Sequence, residues 1–459
     1  MDRSTGNTYS VSKEQDSPGI GRCRFRPYPK YKDSGVEWLG KIPAHWESKP
    51  LKYAAPLILD RIDEIGLEIP YIGLENIESS TGKMISVKEH SLSEEQEAEG
   101  LDVRFRSGDV LFGKLRPYLA KVLLSSFDGR CSSEFLVLRS KEEIAPAYLA
   151  YQLISQGFIA RIDSMTYGIK MPRASPNQVM GAPIAIPDAD EQSAISTYLD
   201  SETAKVDALI EKKERLIELL QEKRTALITH AVTKGLDPAV PMKDSDVGWL
   251  GQIPVHWEVK PFTKYTVERS DYRGKTPEKV ISGVFLVTAR NVRMGLIDYE
   301  CSQEFIAREE YDKIMRRGLP KKGDILFTTE APLGNVAIID REDIALAQRI
   351  IRFRMNSEHF DSRFALYAMI SGFFQAQLLS LATGSTAEGI KASKLPMLRL
   401  CAPDLIEQNE IVSYLDRETS KIDMLVAKIG QAIDRLREYR MALISAAVTG
   451  KIDVQYGIT

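Results

Sequence analysis

A tandem duplication constrains this chain more than any other feature of it. Residues 38–47 read WLGKIPAHWE and residues 249–258 read WLGQIPVHWE, eight identities in ten. All four tryptophans, Trp38, Trp46, Trp249 and Trp257, lie in these two stretches. YLDSETAKVDALI at 198–210 returns as YLDRETSKIDMLV at 414–426, and EKRTALITHAVT at 222–233 returns as EYRMALISAAVT at 438–449. Three matches in one order at a nearly constant offset mark a repeat of about 210 residues. The centres of the copies have diverged. SGDVLF at 107–112 matches KGDILF at 322–327, Pro117 answers Pro332, and YIGLENIE at 71–78 is loosely echoed by FLVTARNVR at 285–293, with Asn76 opposite Asn291. These segments are β-branched and glycine-bounded, which predicts short strands and turns. Each copy is one tryptophan motif, one mixed domain and one long helix.

The helices are the clearest structural expectation. Gln192 to Thr233 contains neither proline nor glycine, and Ile195, Leu199, Val206, Ile210, Ile217, Leu220 and Leu227 fall at heptad-like spacings. Ile411, Leu415, Ile422, Val426, Ile433, Leu436 and Leu443 repeat the pattern. About 40 residues make a rod of roughly 55–60 Å. A lone seam needs a second helix, and its own duplicate is the obvious one. The expected layout is a polar tail over 1–26 ending in Arg22, Arg24 and Arg26, then mixed domains over 27–190 and 247–406. Helices follow over 191–233 and 407–451, with a proline-bearing linker over 234–246.

Composition bounds the function. No apolar run reaches about 18 residues and the N-terminus lacks the apolar core of a signal peptide, so the expected place is the cytoplasm, away from membranes. Cys23, Cys131, Cys301 and Cys401 are too scattered for a zinc site. A net charge of -3 is wrong for a generic polyanion binder, so any nucleic-acid contact must be local or shared with a partner. Catalytic motifs are missing. Gly274-Lys275-Thr276 ends like a phosphate loop, but Arg269 stands where its first glycine belongs. Asp324 with Glu330 could be imagined as a metal pair, yet copy one keeps Asp109 in the same pattern without the second acid. That reads as a turn aspartate opening a strand. His45 and His256, equivalent members of the tryptophan motif, are expected to pack or cap locally.

Basic and hydrogen-bonding residues gather instead in the divergent centres. Copy one offers Lys114, Arg116, Tyr118, Lys170 and Arg173; copy two offers Arg290, Asn291, Arg293, Lys391 and Lys394. Arginine and lysine fork onto guanine edges and asparagine onto adenine, so these are the candidate DNA-reading residues.

With these residues in view, the chain resembles the specificity subunits of type I restriction–modification systems. The resemblance rests on the WLGxIPxHWE pair, on Glu-Gln followed by YLDxETxKID at 191–207 and 407–423, and on AVTGKID at 447–453. It spans about residue 28 to residue 453; the first 26 residues look extra, and AVTKGLD at 231–237 departs from the tail's AVTGKID. It implies an α/β (α+β) fold with two target recognition domains joined by two long antiparallel coiled-coil spacer helices. It implies a DNA reader with no catalysis of its own, which docks two methyltransferase subunits and, through them, restriction subunits. No cofactor is expected in this chain; S-adenosylmethionine, ATP and Mg belong to the partners. The spacer and docking residues would include Leu199, Val206, Leu220, Leu227, Leu415, Ile422, Leu436 and Leu443. Two different readers related by a pseudo-twofold imply a bipartite, asymmetric double-stranded target with an unread gap. The alternatives are a self-contained restriction enzyme with a fused reader, which the missing motifs oppose, and a coiled-coil scaffold with other binding heads.

Overall fold

The computed structural model describes residues 26–62, 69–85, 102–168, 170–272, 277–383 and 389–455. Arg22, Cys23, Arg24 and the 274–276 turn lie outside the described residues. Of the expected tail only Arg26 is described, and it bridges to Asp453. The chain divides into two units, residues 1–211 with 433–459 and residues 212–432.

In the first unit, strand Glu47–Pro50 pairs antiparallel with Pro183–Ile186, placing Glu47 opposite Ile186. The mixed domain therefore begins and ends side by side. Its main sheet is antiparallel, in the order Leu57–Ile58, Phe135–Leu138, Val110–Gly113, Val122–Leu124. VLFG and FLVL are buried at every position, which explains their continuous apolar reading. A second sheet carries one parallel pair, Gly129–Cys131 beside Tyr71–Ile72. The second unit repeats the plan. Glu258–Pro261 pairs with Arg399–Ala402, and the main sheet runs Thr266–Asp271, Ile350–Met355, Ile325–Thr328, Val336–Ile338. Its parallel pair is Ile344–Leu346 beside Val284–Val287.

Asp109 and Asp324 open equivalent strands. Each accepts a backbone N–H from three residues earlier, Arg106 at 2.8 Å and Lys321 at 2.9 Å. Each also pairs with an arginine, Arg139 just past the neighbouring strand Phe135–Leu138 and Arg354 within Ile350–Met355. In the second unit Arg352, fully buried, adds a bond of 2.6 Å to Asp324, and Glu268 joins both guanidiniums. Burial opposes ionisation of Asp324, but hydrogen bonds from Arg354 and Arg352 outweigh it and hold the carboxyl below its ordinary range. Glu330 pairs separately with Arg349 at 2.9 Å. The acids are structural counter-ions, and no cluster of three or more metal-ligating side chains occurs among the described residues.

The long helices run over Ala189–Lys234 and Leu405–Val448. In the first unit the start of the first lies beside the end of the second: Ile195 and Leu199 share a core with Leu443, Ile444, Ala447 and Val448. In the second unit Ile411, Val412 and Leu415 share a core with Ile228, Ala231 and Val232. Within each unit the two helices are thus antiparallel. Asp207 pairs with Arg440 at 3.0 Å, and at equivalent places Asp423 pairs with Arg224 at 3.2 Å.

The expected spacer and docking residues separate by burial. Leu199, Leu415 and Leu443 are buried in domain cores, and Val206 and Ile422 are buried as well, so none presents itself to a partner. Leu220, Leu227 and Leu436 are half-buried. The second helix stops at Val448 instead of 451, because Gly450 at φ +68° begins the left-handed cap. A Cβ there would lie 2.2 Å from Pro43 Cδ. Gly235, at φ +77°, serves the first helix, which runs on to Lys234. The GK and KG orders mark different stopping points. The stretch 234–246 is no mere linker either. Its Met242–Asp244 pairs with Gln252–Pro254, as Tyr31–Asp33 pairs with Lys41–Pro43, so it belongs to the second tryptophan motif.

Among the described residues no single helix is long and apolar enough to cross a membrane. The bent pair Ser362–Ile370 and Gly372–Leu381 is apolar because Phe364, Phe374 and Leu378 fill the second unit's core.

Candidate nucleic-acid interface

The repeated motifs are a frame. Trp46 donates its indole N–H to Glu191 Oε2 at 2.8 Å, and His45 Nε2 meets the same oxygen at 2.9 Å. Trp257 and His256 meet Glu407 Oε2 identically, each at 2.8 Å. The next residue, Gln192, accepts the Ala145 N–H and donates to the carbonyls of Glu143 and Pro187; Gln408 does the same with Asp361, His359 and Pro403. The Glu-Gln pair thus ties each tryptophan motif and each mixed domain to the start of its helix. Nothing here needs to touch a ligand.

On this frame each unit holds the same loop. In the first, the chain leaves Val110–Gly113 and Lys114 N–H donates to Glu134 O at 3.0 Å. Arg116 follows in the left-handed region at φ 50° with its N–H on Pro172 O at 2.7 Å, and Ala174 N–H returns to Lys114 O. Tyr167 and Arg173 close the loop by exchanging backbone bonds. The second unit reproduces the joints that lie among its described residues. Thr329 N–H donates to Arg349 O, Ala331 sits at φ 45°, Ile390 N–H returns to Thr329 O, and Thr383 exchanges bonds with Gly389.

The side chains on this shared skeleton differ in kind. Copy one pairs Glu134 with Arg173 at 2.7 Å; copy two has Arg349 where copy one has Glu134, and pairs it with Glu330, which stands at the place of Leu115. Around the first loop Lys114 is half-buried, while Arg116, Tyr118, Tyr167, Lys170 and Met171 are exposed. This is a cationic and aromatic rim of the kind that meets phosphates and base edges. In the second unit Arg290, Arg293 and Lys391 are exposed, Arg293 lying against Cys301 Sγ and Asp298. Residues 384–388 lie outside the described residues.

Two candidate readers are corrected. Asn291 is fully buried: its Oδ1 accepts from Thr288 N–H and Oγ1, and its Nδ2 donates to Asp298 O and Ser302 O. Asn76, its counterpart, accepts the Gly73 N–H in the same way. Both tie turns, leaving nothing for adenine. Lys394 donates to Leu381 O at 2.8 Å and closes the end of a helix. Arg173 pairs with Glu134 and keeps 42% of its side chain exposed, so it stays on the rim. Sequence reasoning missed Met171 as a rim residue and Arg349 as the counterpart of Glu134; only alignment of the two copies through the loop could have found them.

Residues 292–435 match the family model of the type I restriction modification DNA specificity domain. The chain is 27% identical over 335 residues to the type I restriction enzyme MjaVIII specificity subunit of Methanocaldococcus jannaschii, covering 71% of this chain and 75% of that one. It is 23% identical to the StySPI specificity subunit of Salmonella potsdam, over 91% of both. Among solved structures, a chain from work on complex assembly and conformational transition of the type I R-M system shares the fold. It aligns with a TM-score of 0.66 at 19% identity, over 89% of this chain and 98% of that one.

Proposed function

We propose that this chain, which carries the type I restriction modification DNA specificity domain, is the sequence-reading subunit of a type I restriction–modification complex. The observation that carries the reading is the pair of loops: one backbone skeleton in two copies, with exposed side chains of different chemistry and a glutamate in one copy where the other has an arginine. A frame repeated so closely keeps two surfaces presented alike. Surfaces that differ on it read different things. Each unit reads one half of a bipartite, asymmetric double-stranded target, and the gap between the halves goes unread.

Methyl transfer and cleavage fall to partner chains, two methyltransferase subunits and restriction subunits docked through them. These supply S-adenosylmethionine, ATP and Mg, and the complex works in the cytoplasm. The test is co-expression with a type I methyltransferase subunit in a host without DNA methylation, followed by sequencing of the modified genome. A single motif of two unlike halves around a fixed gap is expected. A palindrome, or one continuous motif, would overturn the assignment of one half to each unit.

A further inference from the structure

Arg440 stands in the first unit with only 5% of its surface exposed and all its reach spent. Its Nε donates to Asp207 Oδ1 at 3.0 Å, which joins the two long helices. Its two terminal nitrogens donate to the backbone carbonyls of Ser80 and Thr81, each at 2.8 Å. Those carbonyls belong to a turn of the recognition domain, closed by Glu78 N–H on Lys83 O and shaped by Ser80 at φ 63° and Gly82 at φ 78°. From the same turn Lys83 Nζ reaches Asp207 Oδ2 at 2.8 Å. One arginine and one aspartate, on opposite helices, thus grip a loop of the reader.

Copy two has the helix half of this device without the loop half. Arg224 pairs with Asp423 at 3.2 Å, and among the described residues it reaches nothing else. The turns explain the difference. Ile77 bridges to Met84 across six residues, whereas Val292 bridges to Ile297 across four. The shorter turn folds back on its own sheet, with Gly295 N–H on Val336 O.

We infer that Arg440 is a positioning residue for sequence reading: it locks the first recognition domain to the helix pair through the 78–83 turn, while the second domain shows no such lock among the described residues. The inference rests on the proposed DNA-reading function. A charge-assisted clamp on two carbonyls fixes direction as well as distance, so it controls how strictly the first half-site must sit at its set spacing from the second.

The test uses the full complex with its methyltransferase, on duplexes carrying the motif found by genome sequencing with the natural gap or a gap one base pair longer or shorter. If the unaltered complex yields no bipartite motif, the functional reading fails before the clamp is tested. Two variants probe the clamp. Arg440→Met keeps the stem and removes the donors; replacing residues 78–83 by the 293–296 segment removes the turn and leaves the Arg440–Asp207 pair. Both should keep the bases of each half-site while preference for the natural gap falls about tenfold. Arg224→Met, which breaks the second ion pair alone, should leave gap preference unchanged. Unchanged preference in the turn replacement sinks the inference, even if Arg440→Met fails to fold. So does an equal loss in Arg224→Met, since the effect would then belong to the helix pair.

Discussion

Glu191 and Glu407 do the same work under different cover, and that difference is measurable. Glu191 is almost fully buried, so Glu191→Ala leaves the Trp46 indole N–H without an acceptor, at a cost of about 1–3 kcal/mol. The Glu407 side chain is about a quarter exposed, and water can replace it, so Glu407→Ala should cost less. Urea unfolding followed by tryptophan fluorescence ranks the two; equal costs would mean the bond is not what burial makes it. Asp324 gives a pH test. Its folded-state value lies below its unfolded one, so its contribution is full above about pH 4 and is lost as the pH falls through the folded value. Asp324→Asn should cost roughly 3 kcal/mol at pH 7, low for a broken buried pair because Glu268 still holds both arginines. The deficit against the parent should shrink below pH 4; a constant deficit would show that the charge is not the cause. Residue roles were only partly legible in the sequence. The repeated histidine and tryptophan announced a local structural task, but their acceptor lay about 145 positions away. Asn291 misled because an asparagine beside two arginines looks alike whether it ties a turn or reads a base. Only burial separates the two.

The long helices were the most legible elements, because a stretch without glycine or proline carrying heptad-like apolar spacing has few other forms. What spacing could not reveal was the division of labour along them. Their ends belong to the domain cores, whereas Leu220 and Leu436 in their middles are half-buried and join neither core. Leu220, half-buried in that middle, should therefore cost only about 1 kcal/mol when changed to Ala, while Leu199, fully buried, should cost about 2–5 kcal/mol. Paired unfolding curves check the order, and the reverse order would restore a closed seam at Leu220. Length is the other property of the element. Seventeen residues separate Asp207 from Arg224, and seventeen separate Asp423 from Arg440, so the two ion pairs bracket segments of matched length. Four residues inserted after Gln221 add about 6 Å and nearly one turn. They carry Arg224 past Asp423, a minor loss because Asp423 is largely exposed. At ~3.4 Å per base pair the gap in the methylated motif should grow by one or two base pairs. Full activity with an unaltered gap would remove the helices from the measurement of spacing.

At the scale of the whole chain, the repeat made the plan readable while the bases it reads stay unreadable, since the loops carrying them are where the copies diverge. The side-by-side start and finish of each mixed domain, Glu47 opposite Ile186 and Glu258 opposite Ala402, makes each an insertion into a common frame. Charge then sets what that frame can do alone. With 61 basic against 64 acidic residues the chain exerts no long-range pull on phosphate. The exposed cations placed on the two rims among the described residues, Arg116 and Lys170 in one unit and Arg290, Arg293 and Lys391 in the other, can fix register on a duplex. They are too few to supply the counterion release that tight binding draws on. On the proposed function the remainder comes from the methyltransferase subunits, so affinity for the target should rise at least about tenfold on assembly, or ~1.4 kcal/mol. The measurement is a titration of labelled target and scrambled duplexes, at one fixed salt concentration, with the chain alone and with the methyltransferase complex. Equal affinity and equal selectivity in the two would make the chain a complete reader and leave the partner with chemistry only.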